Sequence, residues 1–317
     1  MPTFLRMFVF WLCALAATAV VAAYPDRPVH LIVPFAAGGP SDAAARVLAQ
    51  SIAKTLAQPV VVENKPGANG ALAVQSLLNA APDGYTLLWG TASMVAIPLL
   101  QKAPTESLAD LAPVSSVGQF LFCLFLNPQV PAATLSEFIA YAKAHPGEIN
   151  YASSTNSEYM AASQLSKATG MRMVRVPYKG GAQAMPDLLA GRVQVNFGPL
   201  AAGIGQTKEG RLRVLGCLAP SRSAALPDVP TFAESGLAGV AVPTWQSVFA
   251  PPKTPADIVG RLSAAIGRAT LDAELRSQYE RQNFLASAST PEQLRQMIAA
   301  DLRTWTQFIQ DNEIEKE

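Results

Sequence analysis

The sequence predicts an α/β protein with two lobes, each a mostly parallel β-sheet flanked by helices. Strand-like apolar runs alternate with helical patterns over most of the chain, and 317 residues exceed what one hydrophobic core usually organises. The C-terminal third is mostly helical after one isolated strand at Ser247–Ala250. This tail indicates that the chain returns to the first lobe, so that two crossings between the lobes form a hinge.

The predicted elements follow from hydrophobic periodicity and from turn residues. In the first part we predict strands at Val29–Val33, Val60–Glu63 and Thr86–Trp89, with helices at Asp42–Leu56 and Ala71–Ala80. The central strands are Phe120–Leu126, Ile149–Ala152, Met173–Val176, Val193–Phe197 and Leu212–Leu218, with helices at Leu135–Ala144, Ser157–Ala168 and Ala182–Ala190. The tail carries helices at Pro255–Thr270, Ala273–Gln282 and Pro291–Asn312.

The N-terminal segment Met1–Ala23 has the pattern of a secretory signal peptide. Arg6 precedes an apolar run, and Val21-Ala22-Ala23 is a small-residue cleavage site followed at once by polar residues. A retained membrane anchor is the alternative, and the shortness of the run argues against it. Bulky residues precede Cys13, which does not fit a lipoprotein signal. We therefore expect a cleaved leader and an exported chain.

The charge balance excludes several classes of partner. Lys and Arg number 24 against 23 Asp and Glu, and Arg6 is the charged residue of the leader, so the mature chain is formally neutral. No basic field is left to attract nucleic acid or an anionic membrane. No second long apolar run follows the leader, so we expect no membrane span.

Two cysteines remain after the leader, Cys123 and Cys217, both in apolar runs. Buried thiols on strands are the interpretation that we favour. A single disulfide is the alternative for an exported protein, and the spacing alone does not decide between them.

The segment from Leu31 to Asp42 carries the main chemical signal. An apolar run predicts a buried strand, Gly38-Gly39 a turn, and Ser41 an N-cap that begins a helix. Free backbone N–H groups and the helix dipole favour an anion at such a helix start, so a small carboxylate or phosphate is the expected ligand. A tight turn with no ligand is the alternative role for the two glycines.

Seven segments resemble the Bug family, the solute-binding receptors of tripartite tricarboxylate transporters. These segments are Tyr24-Pro25-Asp26-Arg27-Pro28; Val33-Pro34-Phe35 with Gly38-Gly39-Pro40-Ser41-Asp42 and Arg46; Val61-Val62-Glu63-Asn64-Lys65-Pro66-Gly67-Ala68 with Gly70; Ala81-Pro82-Asp83-Gly84-Tyr85-Thr86-Leu87-Leu88; Val176-Pro177-Tyr178-Lys179-Gly180; Leu226-Pro227-Asp228-Val229-Pro230-Thr231; and Phe249-Ala250-Pro251-Pro252. Each motif alone is weak, but their order and spacing match along nearly the whole mature chain.

The resemblance implies a periplasmic binding protein with a Venus flytrap fold. It implies that residues 24–124 and 247–317 form lobe 1 and that residues 125–246 form lobe 2. It also implies a small carboxylate held between the lobes, delivery to an integral-membrane permease, and a monomer. Because no H-E-x-x-H, C-x-x-C or Walker sequence occurs, we expect no cofactor or metal. Because the motifs of several enzyme classes are missing, we expect no catalysis, with an exported hydrolase as one alternative and a receptor-bound sensor as another.

The same resemblance implies which residues contact the ligand. In lobe 1 they are Phe35, Ala36, Ala37, Gly38, Gly39, Ser41 and Asp42. By their positions in other strand-to-helix loops we add Thr91 in lobe 1 and, in lobe 2, Ser153, Ser154, Thr155, Asn156, Ser157, Tyr178, Lys179 and Gly180. Helix capping by Asn156 or Ser157 is the alternative for the lobe 2 loop, and solvent exposure is the alternative for Lys179.

The lobe 2 loop departs from the family pattern. Ser154-Thr155-Asn156-Ser157 is shorter than the usual Gly-rich segment, Met160 replaces a histidine, and Gly198 and Pro199 stand where an aspartate is common. Glu158 adds a charge beside this loop. We expect Glu158 to be exposed, as glutamates usually are. If it instead faces inward, it disfavours a polycarboxylate and favours a ligand with an ammonium group.

Overall fold

The structure is a computed structural model that describes residues 24–102 and 106–312 together with 314 and 316. The predicted signal peptide, Met1–Ala23, lies outside the described residues. No helix in the described part of the chain is both long enough and apolar enough to cross a membrane.

The described elements alternate between strands and helices as predicted. The strands are β1 (Val29–Val33), β2 (Val60–Asn64), β3 (Thr86–Thr91), β4 (Ala112–Phe120), β5 (Phe122–Leu126), β6 (Ile149–Ser153), β7 (Met173–Pro177), β8 (Val195–Pro199), β9 (Arg213–Leu218), β10 (Trp245–Ala250) and β11 (Phe284–Ala286). The helices are α1 (Pro40–Leu56), α2 (Ala71–Leu78), α3 (Ile97–Leu100), α4 (Leu135–Ala144), α5 (Asn156–Thr169), α6 (Gly181–Leu189), α7 (Leu200–Lys208), α8 (Ala256–Leu271), α9 (Ala273–Arg281) and α10 (Pro291–Asp311).

The strands form two sheets, one in each lobe. The lobe 1 sheet has the order β11-β4-β10-β3-β1-β2, and the lobe 2 sheet has the order β7-β6-β8-β5-β9. In lobe 1, β1 is parallel to β2 and β3, whereas β10 is antiparallel to β3 and β4. In lobe 2, β6 is parallel to β7 and β8, and β5 is antiparallel to β8 and β9. The fold is therefore two-lobed α/β with a parallel part in each sheet.

β1 is buried on both faces of its sheet because its apolar side chains alternate between them. Val29, Leu31 and Val33 pack into one buried cluster with α1, whereas Ile32 packs into a second cluster with α2. Successive residues of a strand point to opposite faces, so a strand with apolar residues on both faces is buried on both. The carboxyl end of β1 is therefore held in place by packing where the chain enters the loop that precedes α1.

The chain crosses between the sheets at Leu121. Phe120 ends β4 in the lobe 1 sheet, and Phe122 begins β5 in the lobe 2 sheet. The chain returns between β9 and β10, which again belong to different sheets. The prediction of one strand over Phe120–Leu126 was therefore wrong, because an unbroken apolar run does not indicate that the chain changes sheets within it. The expected lobe boundaries at residues 124/125 and 246/247 fall inside β5 and β10.

Sequence patterns missed β4, β11, α3 and α7. β4 contains Pro, Gly and a Ser pair, which weakens its strand pattern, yet it is buried between β10 and β11. Its polar groups are satisfied by tertiary contacts: Ser115 Oγ donates to Ser289 O at 2.8 Å, and Ser116 Oγ donates to Ser287 O at 2.7 Å. These partners lie about 170 residues along the chain, so no local pattern could reveal them.

Cys123 and Cys217 form a disulfide. They are direct partners in the antiparallel register of β5 and β9, with a Cα–Cα distance of 4.0 Å. The favoured interpretation of buried free thiols was wrong, because the strand register that brings the two cysteines together is set by the tertiary fold. The bond joins the strand that enters lobe 2 to the last strand of lobe 2.

Candidate functional site

The two lobes enclose a cleft with a volume of ≈ 1490 Å³. Its walls come from the loops at the carboxyl ends of strands in both sheets, which is where open α/β sheets place ligands. The lobe 1 loops follow β1, β2 and β3. The lobe 2 wall is built from the loop after β6, from the segment after β7, and from the ends of β8 and α7.

The loop between β1 and α1 forms part of the lobe 1 wall. Phe35, Ala36, Gly38, Gly39 and Ser41 line the cleft as expected, but Ala37 does not. α1 begins two residues earlier than predicted: its N-cap is Gly39 and Pro40 occupies the first turn, so Ser41 is not the cap. Ser41 Oγ instead donates to Gln246 Oε1 at 3.3 Å.

Asp42 holds this loop in place and does not line the cleft. The carboxylate is buried and accepts hydrogen bonds from Gly38 N at 2.9 Å, Arg46 Nε at 3.0 Å and Asn64 Nδ2 at 2.8 Å. Burial alone would raise the pKa of Asp42, but the bonds from Arg46, Gly38 and Asn64 together hold it below its usual value. The expected ligand contact at Asp42 is therefore not supported, because its oxygens are occupied by the protein itself.

Gly38 and Gly39 serve different purposes. Gly38 has φ +83°, a conformation that favours glycine, while a Cβ there would meet no atom within 4 Å. Gly39 has φ −79°, which any residue adopts, and a Cβ there would lie 3.6 Å from Ala36 O, an ordinary contact. The backbone conformation of the turn favours glycine at Gly38, whereas neither the conformation nor any contact within the protein requires a glycine at Gly39.

Two further lobe 1 loops reach the cleft. After β3, Thr91 and Ser93 are buried, line the cleft and share a hydrogen bond of 2.9 Å between their hydroxyl oxygens. After β2, Pro66, Gly67, Ala68 and Asn69 also line it. The strand-to-helix pattern around Gly67 was the signal that could have placed this second loop in the site.

The lobe 2 loop between β6 and α5 faces the lobe 1 loops. Ser153, Thr155 and Ser157 line the cleft as expected, whereas Ser154 and Asn156 do not. Thr155 is the N-cap of α5, and its hydroxyl oxygen accepts a hydrogen bond from Glu158 N at 3.3 Å. Capping by Asn156 or Ser157 was therefore wrong, because both side chains bond to groups outside their own helix.

The first turns of α5 contact lobe 1 directly. Asn156 Nδ2 donates to Ser93 O at 3.1 Å, and Ser157 Oγ donates to Pro243 O at 3.2 Å in the returning crossing. Met160 is fully buried in the lobe 1 cluster that contains Met94 and Trp245. The residue that replaces the family histidine is thus part of the packing between the lobes.

Glu158 faces inward, contrary to expectation. It lines the cleft and is only 5% exposed. Its Oε2 accepts a hydrogen bond from Ser154 N at the start of the same loop. Burial raises the pKa of Glu158 to about 7, although hydrogen bonds from Ser154 and Thr155 oppose the shift. The expectation failed because a glutamate in the first turn of a helix can turn back and accept a hydrogen bond from the backbone just before the helix. That bond here holds the carboxylate of Glu158 within the cleft wall.

The segment after β7 completes the cleft wall, and Tyr178, Lys179 and Gly180 all line it. Tyr178 Oη donates to Asp187 Oδ2 at 2.7 Å. Burial, followed by the hydrogen bond to Asp187, raises the pKa of Tyr178 to about 12, so this tyrosine is neutral at physiological pH. Lys179 is exposed at the cleft rim.

Sequence reasoning missed several lining residues on distant elements. These include apolar side chains on β5, α6 and α7, and polar side chains on β8, on β10 and near the rim: Phe122, Phe125, Met185, Leu189, Ile204, Asn196, Gln246, Arg211 and Arg281. Gln246 Oε1 accepts from Trp89 Nε1 at 2.8 Å, which orients its amide within the cleft. No group of His, Cys, Asp and Glu in the described chain could hold a metal ion.

Comparison with known proteins is consistent with this architecture. Residues 44–314 match the family described as "Tripartite tricarboxylate transporter family receptor". Protein BugT of Bordetella pertussis is 35% identical over 306 residues, which cover 93% of this chain and 94% of BugT.

Two solved structures share the fold and carry ligands. MatC from Rhodopseudomonas palustris, solved with bound malate, has 31% identity and a TM-score of 0.83, covering 90% of this chain and 100% of that chain. Rpa4515 of R. palustris, solved with adipate, has 26% identity and a TM-score of 0.88, covering 93% of this chain and 100% of that chain. Both therefore resemble this chain over both lobes.

Proposed function

Because the chain belongs to the tripartite tricarboxylate transporter receptor family, we propose that it captures a small carboxylate in the periplasm and delivers it to a permease of that transporter type. The observation that carries the proposal is the pair of opposed strand-to-helix loops. The loop before α1 and the loop before α5 face one cleft from different lobes. A ligand that bridges them stabilises the closed arrangement of the lobes.

The lobe 1 loop is suited to a carboxylate. It leads into a 17-residue helix, and the positive end of the helix dipole favours an anion there. The negative charge of Asp42 in the first turn is balanced by its ion pair with Arg46, and its carboxylate also accepts from Asn64. We place the ligand carboxylate near Gly39, where small residues leave room for close approach.

The cleft rim carries positive charge. Lys179, Arg211 and Arg281 are exposed and line it. Exposed cations at a cleft mouth raise the local concentration of anions and their association rate. This arrangement suits a protein that captures a dilute anionic solute.

We propose that ligand binding closes the two lobes about their two crossings. The ligand shifts the balance between open and closed lobes only by the contacts that it gains in the closed form. Hydrogen bonds that involve a charged group contribute roughly 1.5–3 kcal/mol each, so a few of them support micromolar binding after the cost of association. The protein needs no bond-making step for this role, and we propose that it is not an enzyme.

The test is thermal unfolding of purified mature protein, refolded to remove bound ligand, against monocarboxylates, dicarboxylates, tricarboxylates, amino acids and aromatic acids. A ligand at a hundred times its dissociation constant adds roughly 2.7 kcal/mol of stability, a shift of several degrees. Selective stabilisation by one carboxylate class supports the proposal. No shift with any carboxylate, or turnover of a bound one, contradicts it. Delivery is tested by ligand-dependent binding to the purified permease rather than to a sensor domain.

A further inference from the structure

Glu158 is the buried acid of the cleft, and it lacks a cationic partner in the described chain. None of the ion pairs among residues 24–102 and 106–312 involves it. Its hydrogen-bond donor is the backbone amide of Ser154. A carboxylate that is 5% exposed and has no cationic partner is costly in the ionised form, so a ligand group that donates to it would stabilise that form.

Asn196 adds a second acceptor to the same wall. It lies on β8 as the register partner of Ala152. Ala152 is near the end of β6, the strand that leads into the loop before Glu158. The side chain is 6% exposed, lines the cleft, and its Oδ1 has no hydrogen-bond partner among the described residues. Buried polar atoms are nearly always paired, so this orphaned oxygen also indicates a donor on the ligand.

The cations of the cleft do not counter this arrangement. Lys179, Arg211 and Arg281 are exposed at the rim. The guanidinium of Arg175 lies 4.4 Å from the centroid of the Tyr159 ring and interacts with that face. The lobe 2 wall near Glu158 therefore presents acceptor atoms, and Glu158 adds negative charge there when it is ionised, while the exposed cations lie at the rim.

We propose that Glu158 and Asn196 select the far end of the ligand, accepting an ammonium or hydroxyl group and rejecting a second carboxylate. The inference rests on the proposed function, since it assumes that one carboxylate binds at the lobe 1 loop. The preferred ligand is then a monocarboxylate with a hydrogen-bond donor at its other end. A ligand carboxylate at this wall would lie beside the carboxyl of Glu158, which already accepts from Ser154 N, and would be repelled by that group when it is ionised.

The experiment compares ligands that differ only at the far end. Titration calorimetry measures dissociation constants for 6-aminohexanoate, 6-hydroxyhexanoate, hexanoate and adipate, and for 4-aminobutyrate, 4-hydroxybutyrate, butyrate and succinate. We expect the donor-bearing acids to bind wild-type protein at least about tenfold more tightly than the matching dicarboxylate. Glu158→Gln should reduce this ratio at least about fivefold by the same electrostatic reasoning.

A matched control separates specificity from helix capping. Glu137 of α4 makes the same local bonds as Glu158: its Oε2 accepts from Ala133 N at 2.7 Å and its own amide donates to Thr134 Oγ1 at 3.2 Å. Glu137 is exposed and does not line the cleft. Glu137→Gln should leave the ratio between donor-bearing acids and dicarboxylates as it is in the wild type.

The outcomes distinguish the two proposals. A dicarboxylate that binds wild type as tightly as its donor-bearing match overturns this inference and leaves the proposed function standing. Equal changes of the ratio in Glu158→Gln and Glu137→Gln also overturn it, because capping alone would then explain the effect. If wild type binds no carboxylate of this set or of the broader panel, the proposed function fails and the inference fails with it.

Discussion

The side-chain amide of Asn156, in lobe 2, donates a 3.1 Å hydrogen bond to the backbone carbonyl of Ser93, in lobe 1. Both residues are buried, and Ser93 also bonds to Thr91 in the wall of the cleft. The loop that we propose as the lobe 2 half of the binding site is therefore joined to lobe 1 beside the cleft itself. We therefore expect its contacts to affect the relative position of the lobes as well as ligand binding.

Asn156→Ala should weaken ligand binding by about three- to tenfold, because the lost hydrogen bond contributes about 1 kcal/mol to the arrangement in which the lobes are close. X-ray scattering of the ligand-free variant should show a larger radius of gyration than wild type. Asn312→Ala, which removes a bond to Phe308 O within the end of α10, is the control and should change neither quantity. An unchanged affinity in Asn156→Ala would mean that this contact does not bias the lobes.

Gly39→Val should reduce affinity for the ligand by at least about tenfold while unfolding at nearly the wild-type temperature. The backbone at Gly39 suits any residue and a Cβ meets only an ordinary contact, so the added side chain occupies the cleft without straining the loop. Gly38→Ala provides the contrast: φ +83° there should cost about 1 kcal/mol of folding stability. Retained affinity in Gly39→Val would contradict the placement of the carboxylate.

Replacing both cysteines, Cys123→Ala with Cys217→Ala, should lower the free energy of unfolding by roughly 2–4 kcal/mol, because the bond closes a long loop in the unfolded chain. Denaturant titration with and without dithiothreitol measures the change. The reductant should destabilise wild type and leave the double variant unaffected. Equal curves for reduced and oxidised wild type would show that the pair contributes nothing.

Glu158 should make folding stability fall as pH rises from about 4.5 to 7. Burial raises its pKa from the model-compound value of 4.5 to about 7, so the folded state holds a proton that the unfolded state has released. The associated stability is present below pH 4.5 and lost as pH passes 7. Glu158→Gln removes this slope and should be more stable than wild type at pH 8, by at most roughly 3 kcal/mol.

Denaturant titrations at pH 5 and pH 8 measure this dependence, with Glu137→Gln as the control that keeps the wild-type slope. The difference between the wild type and Glu158→Gln isolates the contribution of Glu158 from those of other acids. Parallel pH profiles for these two proteins would contradict a raised pKa in the folded state.

Trp245 should report the titration of Asp301 near pH 6. Its Nε1 donates to Asp301 Oδ2 at 2.6 Å, and burial raises the pKa of Asp301 to about 6 although the bond to Trp245 opposes the shift. Protonation weakens the acceptor, so tryptophan emission should change with a midpoint near that pH. Asp301→Asn should abolish the change. A transition that persists unchanged in Asp301→Asn would contradict its assignment to Asp301.

Much of the fold was readable from local patterns. The predicted strand at Val29–Val33 matches β1 to the residue, and the predicted helix at Leu135–Ala144 matches α4. Such elements are predictable from local sequence, because a strand buried on both faces is largely apolar and the apolar residues of an amphipathic helix recur about every 3.6 residues. The family resemblance likewise predicted the two lobes and the lobe 1 loop that lines the cleft.

The tertiary structure decided what local patterns cannot encode. The disulfide depends on the register of β5 and β9, and the switch of sheets at Leu121 interrupts a run that is uniformly apolar. The side chains of Asp42 and Asn156, both predicted to contact ligand, are instead hydrogen-bonded to Arg46 and Ser93, respectively. Glu158 points inward because a backbone amide four residues earlier binds its carboxylate. Residue type limits the bonds that a side chain can make, and the neighbours supplied by folding determine which of them form.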